Sequence, residues 1–402
     1  MPKLIRVTTV PLSLNFLLRG QMRYMKENGF DVIMVAGEGN DWEQVVRNEG
    51  CPHQVIPMTR MMTPLADLRS LWTLYRYFRK ERPDIVHSHT PKAGLLGMLA
   101  AKMAGVKIRI HTVAGLRFMT STGTTRRILI AMEKLTAGSA THVWPNSFSL
   151  LKYIKKNRLA NASKLEVIGA GSSNGIDLNR YSANVLDPDK LRSVRVLIGY
   201  EESLFYFLSV GRIVNDKGID ELLKAFTTLY TKYNHIRLIL VGAFEDDLDP
   251  ISPSAKSILK THPAIIQPGW SDAVEYYMRL SQVLVHPSHR EGFPNVLLQA
   301  GAMLCPIICS RIEGNIDIVE HERTGLLFEV KNEKELQLRM EQAVTDLQVL
   351  QGYSQALRLK IEQYFSQTAV HQNILQRYQE ILAGTGNKKN QKAHELRNDA
   401  TQ

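Results

Sequence analysis

Arg212 and Lys217 fall within six residues of each other in GRIVNDKG, straight after the apolar run LFYFLSVG. A strand end, Gly211 to admit a ligand close to the backbone, and two cations together suit a diphosphate. Arginine can chelate phosphate oxygens through two N–H groups, and lysine adds a compact charge. The same residues also describe two solvated side chains on a turn. In HREGFPNVLLQAGAM, Glu291 stands in the loop after another apolar run, VLVHPS. A carboxylate does not help to bind phosphate; its natural partner is an array of hydroxyls, such as a sugar's. Pro294 suits a first helical turn, where no amide donor is needed. The free N–H groups near Asn295 and Val296 then form an anion site. Asn295 and Gln299 are four apart and share one helix face, a turn from that end.

HSHTPKAG and HTVAGLRF place His87, His89 and His111 at the carboxyl ends of two expected strands. Three histidines invite zinc, but no acidic ligand accompanies them, and no metal site is expected. His111 reads either as a polar or general-base contact to an acceptor hydroxyl or as a satisfied structural histidine. EDDLDP contains an Asp-x-Asp, Asp247 and Asp249, which could hold a divalent ion beside a diphosphate. An acidic, solvated loop is the simpler account.

These residues must be positioned by something, and the hydrophobic pattern supplies it. LIRVTTV, DVIMVAG, DIVHSH, KIRIHTV and HVWPNS alternate with helical patterns through FLLRGQMRYMKENG, LADLRSLWTLYRYFRKE, residues 91–104 and RRILIAMEKLTAG. After VLDPDKL the alternation restarts with LFYFLSVG, IRLILVG, AIIQPG, VLVHPS, PIICS and GLLFEV. Continuous apolar strands separated by helices imply parallel sheets covered on both faces. The expectation is an α/β chain of two doubly wound, Rossmann-like domains, residues 1–190 and 191–365, facing an interdomain cleft. A helix over 366–384 crosses back to the first domain, and the polar stretch 385–402 is a frayed tail. Around Leu68, the spacing of Leu68, Leu71, Tyr75 and Phe78 predicts an amphipathic helix with Arg69, Arg76 and Arg79 outside.

The chain has 402 residues, 44% apolar and 22% charged, in the soluble globular range. No apolar run approaches the roughly 20 residues that cross a bilayer. The opening stretch carries Arg6 within its apolar run and lacks a small-residue cleavage site, so it reads as a buried strand, not a signal peptide. Cys51, Cys305 and Cys309 fit neither zinc nor a disulfide framework, which implies a reduced, cytoplasmic setting. The formal charge of +11 is concentrated in residues 1–190, with 27 Lys+Arg against 14 Asp+Glu; the rest holds 23 against 25. Nucleic acid, an anionic membrane face or a phosphorylated substrate could each use that excess. No nucleic-acid recognition motif or aromatic platform accompanies it, so nucleic acid is not an expected partner.

In combination and in order, HSHTPKAGLLGMLAA, HTVAGL, GSSNGID, GRIVNDKG and PSHREGFPNVLLQAGAM resemble the retaining glycosyltransferases of family four, which have the GT-B fold. The resemblance runs from Met1 to about Ala383, and the nearest subgroup is that of bacterial capsular and surface-polysaccharide enzymes. It implies that Arg212 and Lys217 bind the diphosphate of a nucleotide-sugar, a UDP-sugar or GDP-sugar. Glu291 would contact sugar hydroxyls beside Gly211, Gly292, Phe293, Pro294 and Asn295. The family's second glutamate, a ribose contact, is Gln299 here. Many relatives have histidine before the glycine of HTVAGL; this chain has Ala114 before Gly115. His89, Lys92, Gly115 and His111 fall on the acceptor side. The implied reaction moves a hexose or N-acetylhexosamine to a polyprenyl-diphosphate-linked glycan, without a metal, at the inner face of the cell membrane. Arg69, Arg76, Arg79, Arg126, Arg127 and LLKYIKKNR would meet the anionic surface. Two rival readings are a sugar-nucleotide 2-epimerase of the same fold and a non-catalytic glycan-assembly subunit.

Overall fold

The computed structural model describes residues 1–398 apart from Arg60, Met62, Asp247 and Leu248, with side chains described to Gly384. The first sheet contains β1 (Lys3–Val7), β2 (Asp31–Ala36), β3 (His53–Val55), β4 (Ile85–Ser88), β5 (Ile108–Val113) and β6 (His142–Pro145). The second contains β7 (Phe205–Val210), β8 (Ile236–Val241), β9 (Ile265–Gly269), β10 (Val283–His286), β11 (Ile307–Ser310) and β12 (Leu326–Phe328). Their orders are β3-β2-β1-β4-β5-β6 and β12-β11-β10-β7-β8-β9. Every pairing is parallel. Apolar side chains alternate to both faces, so each sheet carries a core on either side.

Two expectations about helices change. The single helix read through FLLRGQMRYMKENG is two, Pro11–Leu17 and Gln21–Glu27, because Gly20 takes a left-handed φ of 78° between them. The helix Pro64–Glu81 buries Ser70, Leu74 and Phe78, while Leu68 faces solvent with Arg69, Arg76 and Arg79. The buried stripe is therefore offset from the one that Leu68 suggested.

The chain passes between the sheets twice, and the two passages lie side by side. Ile176 N donates to Phe365 O at 2.8 Å, and Gln367 N donates to Ile176 O at 2.9 Å. Gly175 keeps them close: a Cβ there would sit 2.7 Å from Phe365 O, at a φ of +66°. The last helix, Gln367–Asn398, then returns to the first sheet, where Val370, Ile374 and Tyr378 pack with Leu4, Met22 and Trp144. Its backbone continues through much of the stretch read as a frayed tail. Side chains beyond Gly384 and residues 399–402 lie outside the described residues.

Candidate functional site

In each sheet the winding reverses between two neighbouring strands, β1 and β4 in the first, β7 and β10 in the second. Connections there leave to opposite faces and open a crevice outside the carboxyl ends, where ligands bind in such sheets. Gly211 to Lys217 leave β7, and Pro287 to Glu291 leave the adjacent β10. The two stretches singled out by their chemistry therefore meet at one reversal point. Gly218 permits that meeting: at φ +68°, a Cβ would lie 2.1 Å from Pro287 O.

Lys217 Nζ forms an ion pair with Glu291 Oε1. Ser288 Oγ donates to the same oxygen at 2.7 Å. His286 Nε2 lies 3.2 Å from it, close but without the alignment of a hydrogen bond. Glu291 is only 15% exposed. Burial works to raise its pKa, but the charge of Lys217 and the neighbouring His286 outweigh burial and hold the carboxyl well below its usual range.

Arg212 donates from Nη1 to Glu245 Oε2 at 2.7 Å. Its Nη2 lies 3.9 Å from Asp216 Oδ1. Asp216 is buried and accepts from Arg290 Nη2 at 2.5 Å, while Arg290 Nε donates to Thr120 Oγ1 at 3.0 Å. Arg290 thus ties the second half of the chain to the first. A recess between the strand ends is lined by Gly211, Arg212, Lys217, His286 and Pro287. Two cations line it, Arg212 and Lys217, each steadied by a carboxylate. In EDDLDP, Asp249 Oδ2 accepts from Asp216 N at 2.7 Å and so closes a turn; Asp247 lies outside the described residues.

The first sheet faces this site backbone to backbone. A Cβ on Gly292 would fall 2.0 Å from Ala114 O, and Gly115 stands opposite at φ +138°. Asn146, oriented so that its amide donates, reaches Gly292 O at 3.2 Å and Val113 O at 3.3 Å. Phe293 packs on Phe365 at 5.2 Å between ring centres. Pro294 is the N-cap of the helix Asn295–Ala302 and not a first-turn residue, and no side chain caps that end. Gln299 donates from Nε2 to Tyr181 Oη at 2.7 Å. Burial pushes the Tyr181 hydroxyl up to about 12, so it stays protonated.

The structure sets the acceptor-side side chains apart from this group. His111 is buried, its Nδ1 2.9 Å from Ser88 Oγ, and a Cβ on Gly94 would meet its ring at 2.4 Å. Burial lowers its pKa to about 4, so it is neutral, and it is enclosed by the fold where a cleft-facing base was one of two readings. Lys92 is also buried, and its ammonium donates to Asp67 Oδ1 at 2.7 Å and to Met61 O, tying two helices together. His89 Nε2 lies 2.8 Å from Arg6 Nη1. A cation so close to His87 and His89 also opposes a metal there.

Asp216, Arg290, His286 and Ser288 lie inside or beside the quoted motifs and were legible only as neighbours of the chosen residues. Asp317 gave no local signal. Its Oδ1 accepts from Phe148 N at 2.8 Å and Ser149 N at 3.1 Å, across the interface.

Two family descriptions match the chain: Glycosyl transferases group 1 over residues 198–360, and Glycosyl transferase 4-like domain over residues 17–171. The chain is 34% identical to the Staphylococcus aureus capsular polysaccharide biosynthesis glycosyltransferase CapM, covering 94% of this chain and 97% of that one. It is 27% identical to an Escherichia coli UDP-Gal:alpha-D-GlcNAc-diphosphoundecaprenol alpha-1,3-galactosyltransferase, covering 84% and 86%. Among solved structures, Anabaena HepE in complex with UDP-glucose superposes with a TM-score of 0.78 at 17% identity, covering 94% of this chain and all of that one.

Proposed function

The chain belongs to the group 1 glycosyl transferases, with a 4-like amino-terminal domain, and from that premise we propose that it moves a hexose or N-acetylhexosamine from a UDP-sugar to a polyprenyl-diphosphate-linked glycan in bacterial surface-polysaccharide synthesis. The observation that carries this reading is the convergence of Arg212, Lys217 and Glu291 on the reversal point of the second sheet. The cations take the donor diphosphate, and Glu291 takes sugar hydroxyls beside the amides of Gly292, Phe293 and Asn295. The relatives support the lipid-linked acceptor, and the HepE complex supports UDP.

The reaction proceeds with retention. As the glycosidic bond breaks, the departing β-phosphate accepts the proton of the incoming hydroxyl on the same face. The protein stabilises charge on the leaving diphosphate through Lys217 and Arg212, an effect typically worth about 3–4 kcal/mol per donor.

The acceptor is presented at a membrane surface. Arg69, Arg76 and Arg79 share the helix Pro64–Glu81 with Leu65 and Trp72, which are 85% and 55% exposed. Arg126, Arg127 and exposed Ile128 lie on the helix Gly123–Ser139, and Lys152, Lys155 and Lys156 on Phe148–Lys156. Among the described residues no helix is long and apolar enough to cross a membrane. Sedimentation with anionic vesicles is expected at low salt and is weakened by high salt; binding indifferent to both lipid charge and salt overturns this part.

The activity itself is tested by incubating the chain with UDP-glucose, UDP-galactose and their N-acetylated counterparts plus a short polyprenyl-diphosphate sugar. Mass spectrometry is expected to show a glycolipid one sugar heavier, and proton NMR an anomer matching the donor. An epimerised nucleotide-sugar formed without acceptor, or no transfer with either UDP- or GDP-sugars, overturns it.

A further inference from the structure

The reversal point of the first sheet holds a second polar cluster, distinct from the proposed donor site. Arg6 on β1 is fully buried and is the register partner of His87 on β4. Its Nη1 donates to His87 Nδ1 at 2.6 Å and to His89 Nε2 at 2.8 Å. Burial, together with the neighbouring cationic charge, holds both rings far below the usual histidine range, so both are neutral acceptors there. Tyr378, from the returning helix, places its hydroxyl 2.5 Å from His87 Nδ1 and is likewise uncharged, its pKa pushed up to about 12 by burial. Glu49, whose field reaches Arg6, already accepts from the Gly20 and Arg23 amides at 2.6 and 3.0 Å. No ion pair to Arg6 exists among the described residues, and its Nε and Nη2 have no hydrogen-bond partner. A buried guanidinium without a counter-charge is costly.

Beside this cluster lies a small recess lined by His87, His89, Thr112, Trp144, Asn146 and Ser173. Trp144 Nε1 and Ser173 Oγ are buried there without a partner. Since His89 Nε2 accepts from Arg6, its proton sits on Nδ1, a third donor. The recess therefore offers N–H and O–H donors and no acid, and the buried charge of Arg6 lies directly behind His87 and His89. Water could satisfy the donors but would leave the charge unanswered, and a metal cation would be repelled.

We propose that this recess binds a small anion, of halide size, which answers the charge of Arg6 and takes hydrogen bonds from Trp144, Ser173 and His89. The site lies over the carboxyl ends of β4, β5 and β6, beside the reversal point of the sheet, and its chemistry is independent of the sugar donor.

The test is thermal unfolding of the full chain at constant ionic strength, with chloride, bromide, phosphate or acetate replacing gluconate. A saturable rise in Tm is expected for chloride or bromide, because ligand binding to the native state stabilises it. Trp144→Phe is expected to raise the half-saturating concentration about ten-fold, one hydrogen bond's worth of affinity. Arg6→Met is expected to abolish the response, and Lys217→Ala to leave it. Should Arg6→Met fail to fold, a bromide-soaked crystal of the wild-type chain is expected to show an anomalous peak at Trp144 and Ser173. The proposal is overturned by a wild-type Tm that ignores both halides, by a response lost in Lys217→Ala but kept in Trp144→Phe, or by water alone in the recess.

Discussion

Lys217 and Glu291, one suited to phosphate and the other to hydroxyls, are bound to each other at the ends of β7 and β10. Both are mostly buried, at 20% and 15% exposure. In the proposed reaction, a diphosphate arriving at the recess would compete with Glu291 for the ammonium, and the carboxylate so freed would become available to sugar hydroxyls. On that reading the pair couples the two halves of donor recognition. It also keeps a buried charge compensated until a ligand takes over.

That coupling is measurable as stability. Lys217→Met strands Glu291, and loss of one partner of a buried pair typically costs about 3–5 kcal/mol; partial exposure places this pair toward the lower end. The double variant Lys217→Met/Glu291→Gln is expected to recover part of that loss in urea unfolding. Strictly additive losses would show that the pair is not a unit. Each single variant is expected to lower sugar transfer by at least 100-fold.

The depressed pKa of Glu291 fixes a pH signature. A carboxyl with a folded pKa below its unfolded value, about 4.3, contributes stability above that value and loses it as pH falls toward the folded pKa. The stability difference between wild type and Glu291→Gln is therefore expected to grow from pH 2.5 to 5 and to stay level from 5 to 8. A difference that changes through neutrality would contradict a carboxylate already ionised there.

Asp317 reaches across the interface to the start of the helix Phe148–Lys156, where it accepts from two amides, and Ser149 Oγ also accepts from Gly314 N at 2.9 Å. One carboxylate therefore caps a helix of the first half from the second. Asp317→Ala is expected to cost about 1–2 kcal/mol, as cap removals do, and to increase the radius of gyration in X-ray scattering as the halves part. A less stable variant with unchanged dimensions would reduce Asp317 to a cap.

Much of the architecture was legible, because buried parallel strands write themselves as apolar runs. All six strands of the second sheet follow this rule. In the first, β3 escapes: HQV is a three-residue edge strand, largely exposed, with no apolar run to betray it. The existence of the helix Pro64–Glu81 was legible but its buried face was not, since Ser70 lies inside through a hydrogen bond to Pro57 O and Leu68 outside. The residues proposed for the donor cluster in two short stretches because they leave two adjacent strand ends, those of β7 and β10. Asp317 and Tyr181 act on partners far away along the chain, and no local pattern encodes such approaches. Lys92 and His111 stand in recognisable motifs yet are enclosed by helices, which residue type alone does not reveal.

Gln299 is where the residue type departs from the resembled family, and Tyr181 shows what the departure does. With Nε2 donating to Tyr181 Oη at 2.7 Å, the amide is oriented and Oε1 remains an acceptor for a ribose hydroxyl. Tyr181 is buried and protonated, so it could equally donate to a carboxylate at position 299. Gln299→Glu is therefore expected to keep transfer within about five-fold of wild type, since one hydrogen bond of about 1 kcal/mol is exchanged for another. Gln299→Leu keeps the bulk but offers neither group, and is expected to raise the donor KM about ten-fold while changing kcat little. Tyr181→Phe is expected to shift KM in the same direction by less, because Gln299 survives but is no longer held. Steady-state kinetics with saturating acceptor decides it: a KM unchanged in both Gln299→Leu and Tyr181→Phe would remove this pair from donor binding.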